Sequence, residues 1–137
     1  CKKDWVAFDS LGAIEISWIA PLTIEFDFNL PGYKGMMSMQ GGHAGEKMPK
    51  AQAIKDATMA YFINKNRKEN SIFVHYNGTY HSDNYEGINW YLRKLDADIQ
   101  IVTIAMVEQK DISKLEAEHY NKADFVLVID EDVTKTY

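Results

Sequence analysis

Between Ile72 and Leu95 the pattern of apolar and polar positions changes period twice. Ile72, Phe73, Val74 and Tyr76 form a short β-branched and aromatic run closed by Asn77-Gly78, which predicts a strand ending in a turn. Asp83 with Glu86 three residues on has the form of a capping box, and Ile88, Tyr91, Leu92 and Leu95 fall on one helical face, so a helix is expected from about Asn84. The loop between holds Asn77, Gly78, Thr79, Tyr80, His81 and Ser82, at the carboxyl end of the strand, where open α/β sheets bind ligands. Upstream, Pro49 suits a first helical position, and the breaker-free run to Asn66 predicts the longest helix, buried in its second half around Ala57, Ala60 and Ile63. Downstream, residues 99–107 and 125–129 are apolar enough for strands covered on both faces, with a short helix expected over 111–119, anchored by Leu115. This alternation predicts an α/β fold: a parallel sheet with flanking helices and right-handed crossovers.

Residues 1–48 read as an irregular lead-in to that core, the whole chain forming one domain or the C-terminal part of a larger one. Ser10 is a candidate cap for a short helix carrying Ile14, Ile16, Trp18 and Ile19, after which Ala20-Pro21 forces extended backbone. Ile24, Phe26 and Phe28 alternate with Glu25 and Asp27, as an edge strand or an extended segment lying across a core, ended by Leu30-Pro31-Gly32. Met36, Met37 and Met39 then precede Gly41-Gly42-His43-Ala44-Gly45. They read as core filler before a glycine loop, or as the adaptable wall of a large flat apolar ligand with His43 as its polar anchor.

Composition narrows the chemistry. The 137 residues are 46% hydrophobic and carry a formal charge of −5, so a real core is available and no basic footprint favours nucleic acid. The single cysteine, Cys1, excludes an internal disulfide and cysteine-based metal clusters. No run of eighteen apolar residues is present and no signal peptide precedes Cys1, so the chain as given is expected to be soluble; Cys1-Lys2-Lys3 reads as a fragment edge or as the lipidated start of a lipoprotein. P-loop, GxGxxG, GxSxG and HExxH patterns are all absent. Of four histidines, His75 is expected within a strand and His119 at the end of an exposed helix, leaving His43 and His81 in loops open to a ligand. Asp56 faces either solvent or the site, and Asp130, Glu131 and Asp132 form a solvated acidic turn or a cation-attracting rim.

The runs GGHAGEKMPKAQAIKDATMAYFI and HYNGTYHSDNYEGINWYL, with APLTIEFDFNLPGY before them and DEDVTKTY at the close, resemble the haem-binding uptake lipoproteins called ChaN-like. More distantly, the unit with His81 and Gly87 and the helix with Asp56 and Met59 are similar to paired motifs of Tiki and TraB-type proteins, some of them metal-dependent peptidases. The strand ending in Gly-x-x-Glu or Gly-x-x-His that those relatives carry is not found here. The resemblance implies a C-terminal fragment of an envelope protein (periplasm or outer membrane), self-association through the open sheet edge, and peripheral membrane association through a lipid anchor not evident in the sequence.

Two functions from different classes follow. One is binding of haem or another iron-porphyrin for iron or haem uptake, the iron held by a phenolate or imidazole. Tyr76, Tyr80 and Tyr85 flank the loop, and Tyr80 is favoured because His81 beside it can support the phenolate. Tyr80 and His81 are thus the candidate metal ligands, Asn77, Gly78 and His43 the further contacts, and backbone donors near Asn84 with Lys50 or Lys55 the partners of the propionates. The alternative is a metal-dependent hydrolase in which His81 and an acidic residue from an absent half hold a divalent ion, inactive in this chain alone.

Overall fold

The computed structural model describes residues 10–21, 24–38 and 46–134. Among them are four α-helices, α1 (Ala13–Ile16), α2 (Pro31–Ser38), α3 (Lys47–Asn66) and α4 (Ile88–Leu95), and two strands, β1 (Ile104–Gln109) and β2 (Phe125–Asp130). The strands pair in parallel, Ile104 opposite Phe125 and Gln109 opposite Asp130, so the expected α/β fold with a parallel sheet is observed. No described helix is long and apolar enough to cross a membrane.

The long helix runs unbroken, starting two residues before Pro49. Its buried face is Pro49, Ala53, Asp56, Ala57, Ala60 and Ile63, a stripe at helical spacing in which three alanines let neighbouring helices approach closely. Ile88, Tyr91 and Leu92 of α4 and Tyr33 and Met36 of α2 complete the core with Ala20, and Ile24 and Phe26 pack on its margin. The 24–28 segment is therefore the extended stretch across a core rather than an edge strand. Phe26 stacks on Tyr33, centroids 5.2 Å apart.

Four local expectations are corrected. Residues 72–76 are not a strand: the backbone there is irregular and the side chains are exposed. β-Branched and aromatic residues favour a strand only where a neighbouring strand accepts its hydrogen bonds, and none of the described strands pairs with this run. The second helix begins at Ile88, not near Asn84, because Thr79–His81 and Asp83–Tyr85 form two 3-10 turns first. Asn84 and Tyr85 both sit at positive φ (57° and 60°), which no α-helix accommodates. Residues 111–119 hold only a 3-10 turn, Ala117–His119, and His119 is buried rather than at the end of an exposed helix. Finally, the strands are covered on one face: Ala105, Val107 and Gln109 are buried, whereas Ile104 and Met106, opposite Phe125 and Leu127, are open to solvent.

The sheet is clamped at its start. Asp124 accepts from the Thr103 backbone N–H (2.7 Å) and hydroxyl (2.8 Å), while Thr103 Oγ1 accepts from the Asp124 N–H at 3.0 Å. These bonds, the Thr103 backbone N–H first, hold the Asp124 carboxyl below its ordinary range and fix the register in which Phe125 enters.

Candidate functional site

The site is built where α3, α2 and the loop before α4 meet. Asp56 is fully buried, 0% exposed, so of the two expectations for this residue the inward one holds. A buried carboxylate must be hydrogen-bonded, and both oxygens are: Oδ2 accepts from the Tyr33 hydroxyl at 2.7 Å and Oδ1 lies 2.5 Å from Nδ1 of His81. Burial raises the Asp56 carboxyl above its ordinary range, while the His81 and Tyr33 hydrogen bonds oppose the rise. The Tyr33 hydroxyl is pushed up in turn, by burial first and then by the charge of Asp56, so it remains a proton donor. The contact between Asp56 and His81 ties α3 to a loop 25 residues away.

Gln52 Nε2 lies 2.7 Å from the same Nδ1 of His81. An Nδ1 that donates to a carboxylate cannot also accept from an amide N–H, so the two contacts are chemically consistent when the Gln52 amide turns its oxygen to the ring. His81 is thus held by Asp56 and Gln52, not directed at the phenol of Tyr80, and its expected role as support for a Tyr80 phenolate is not what the geometry shows.

Gly87 makes this packing possible. It caps α4 at φ 54°, and a side chain there would overlap the His81 carbonyl oxygen, lie 2.9 Å from its carbon and 3.2 Å from Asp56 Oδ2. Only glycine combines that backbone conformation with that approach. Asn89 then fastens the loop by donating to the Ser82 carbonyl at 3.0 Å, and Asn77 donates to the Ser82 hydroxyl at 2.9 Å.

Two cavities flank the loop. The first, about 320 Å³, is walled by Met36, Met48, Gln52, Gly78, Thr79, Tyr80 and His81. The second, about 290 Å³, runs between Tyr33, Asp83, Glu86, Gly87 and Lys122. Thr79 and Tyr80 border both, and Tyr80 is 61% exposed. The structure therefore brings together four of the expected residues, Gly78, Tyr80, His81 and, beside them, Asn77; His43 lies outside the described residues. The backbone N–H of Asn84 is taken by the Lys122 carbonyl at 2.9 Å, so the expected anion site at a helix start there is not formed. Lys50 pairs with Glu46 at 2.7 Å. Lys122, which sequence reasoning passed over, is a cation that borders the second cavity. Tyr33, Gln52 and Met48 were missed as well; the four-residue step from Gln52 to Asp56 was the signal that both share a helix face.

The family model described as haem-binding uptake, Tiki superfamily, ChaN matches residues 2–92. The chain belongs to that family, and the matched span contains α1 to α3, the loop and the first half of α4. No curated protein and no solved structure matches it.

Proposed function

We propose that the chain binds haem or a related iron-porphyrin at the loop 77–81, as part of iron or haem uptake at the bacterial envelope. The observation that carries this reading is Tyr80: a phenol exposed at the rim of a cavity whose walls include Met36 and Met48. Phenolates are haem-iron ligands, and methionines adapt to flat apolar faces. The residues present fit the group. Tyr80 would ligate the iron, Met36 and Met48 would pack on the macrocycle, and Lys122 would attract a carboxylate. A cavity of about 320 Å³ stands at the small end of ligand pockets, so it takes part of a porphyrin. His81 acts indirectly, by holding the loop to Asp56. Membership of the haem-binding uptake family supports both the ligand and the envelope location.

Haemin titrated into the chain should shift the Soret band, and Tyr80→Phe, which removes only the hydroxyl, should change the spectrum and weaken binding at least tenfold. An unchanged spectrum and affinity in Tyr80→Phe would move the ligand away from this loop.

The metal-dependent hydrolase remains as a second reading because a carboxylate-oriented imidazole, Asp56 with His81, is a general-base arrangement. Among the described residues no third carboxylate or imidazole joins that pair as a ligand set. Turnover of a peptide that depends on an added divalent ion and is lost in His81→Ala would favour it.

A further inference from the structure

The connection between β1 and β2 spans residues 110–124 and, in place of the helix usual in a parallel crossover, holds one 3-10 turn. Long loops of this kind are uncommon unless something orders them. Gln109 does part of this: its side-chain amide donates to the carbonyls of Asp111 and Lys114, and its oxygen accepts from the Glu116 N–H at 3.2 Å. Beyond that stitch most side chains of 110–118 are exposed, yet His119 is only 7% exposed. Both of its ring nitrogens are buried without a hydrogen-bond partner. Buried polar atoms are nearly always hydrogen-bonded, so an imidazole left without a bond at either nitrogen requires an explanation.

The surroundings of the ring offer one. Glu116, Glu118 and His119 present a ligand atom each, all within 4.8 Å of one another. His119 Nε2 lies 3.6 Å from Glu118 Oε1, too long for a hydrogen bond. Two ligand atoms bound at about 2.0–2.2 Å to one tetrahedral ion stand about 3.3–3.6 Å apart. The separation of His119 and Glu118 is therefore that of two ligands facing a common ion, with the Glu116 carboxylate within 4.8 Å to complete the set. We propose that Glu116, Glu118 and His119 bind a divalent transition-metal ion, of which zinc is the type, with three protein ligands and a fourth position open to solvent. Two carboxylates and an imidazole suit such an ion. The ion would bond the orphaned imidazole and pin a crossover that burial alone holds weakly. This centre lies beyond residues 2–92 and involves none of the residues around the loop 77–81.

Zinc chloride titrated calorimetrically into the full chain, with Cys1 alkylated to remove a competing thiol, tests it. One ion per chain is expected, with affinity at least tenfold weaker in Glu116→Gln and in Glu118→Gln, since even groups behind a metal's direct ligands commonly change affinity 10–100-fold. Both glutamates are exposed, so these variants should keep the wild-type circular dichroism. In an NMR titration the imidazole resonances of His119 should move with bound zinc while those of His43, His75 and His81 do not. Absence of binding by the wild type, wild-type affinity in both glutamine variants, or shifts at His43, His75 or His81 in place of His119 would each overturn the proposal.

Discussion

The helical body and the two-stranded sheet solve the same problem differently. In the body, α2, α3 and α4 bury apolar residues from every side, and the alanines at 53, 57 and 60 bring the helices close enough for Asp56 to be sealed among them. In the sheet only the inner face is covered, and Ile104, Met106, Phe125 and Leu127 form cross-strand apolar pairs open to solvent. Monomeric proteins rarely leave such contiguous patches exposed. The body therefore specifies a site by packing, whereas the sheet depends on a register clamp, a stitched crossover and whatever covers its outer face. The span matched by the family ends at residue 92, before the sheet begins.

That contrast breaks most sharply at Gly87. Gly87→Ala forces a side chain into a left-handed conformation and into the His81 carbonyl, and should destabilise the chain by ~4 kcal/mol or more in denaturant unfolding. Gly78, beside the same cavity, has open space around it, so Gly78→Ala should be close to neutral. Equal effects would show that the loop tolerates a shift and that the Asp56–His81 packing is not what holds it.

A matched pair of leucines measures the difference between the two regions. Leu92→Ala, at 5% exposure in the helical core, should cost about 2–4 kcal/mol, whereas Leu127→Ala, at 53% exposure on the open face, should cost under about 1 kcal/mol. The open face also makes self-association the expected state at high micromolar concentration, reversed by Leu127→Lys in light scattering. A clean monomer in which Leu127→Ala is as damaging as Leu92→Ala would mean that the outer face is covered within the chain itself.

The smallest effect at any one pH belongs to Asp56. Its folded pKa is raised, so the folded state binds the proton more tightly than the unfolded chain does. The stability this contributes is fully present below the ordinary carboxyl value and is lost as pH rises through the raised folded value. Asp56→Asn keeps an acceptor for Tyr33 and removes the titration, so its unfolding free energy should lack that decline. An identical slope in both proteins would assign the decline to another group.

How much of this the sequence discloses depends on how local the cause is. The helix over 49–66 and a parallel pair of strands near 99–107 and 125–129 follow from long apolar runs that need no further context, although the first of these strands starts only at Ile104. Helix α2 was hidden because Leu30-Pro31-Gly32 read as the end of the preceding segment, although Pro31 stands at the first position of that helix, where its missing N–H is harmless. The 72–76 run and the Asp83–Glu86 capping box were misleading for the opposite reason. Each is a sound local signal, overridden by the lack of a pairing strand among the described ones and by consecutive positive φ angles at Asn84 and Tyr85. His81 announced itself by its loop, but its partner Asp56 stood between two readings because a lone acid on a helix does not reveal which way the helix faces.

The irregular segment before the loop has a kinetic consequence. Among the described residues, none of the backbone amides from Ile72 to Asn77 donates to another backbone carbonyl, while the His81 and Ser82 amides bond back to Gly78 and Thr79. Exchange with deuterated solvent should therefore run near its unprotected rate up to Asn77 and slow abruptly at His81. A ligand seated on Tyr80 would lie on that boundary, and its arrival would be recorded as the protected region advancing backwards along the chain.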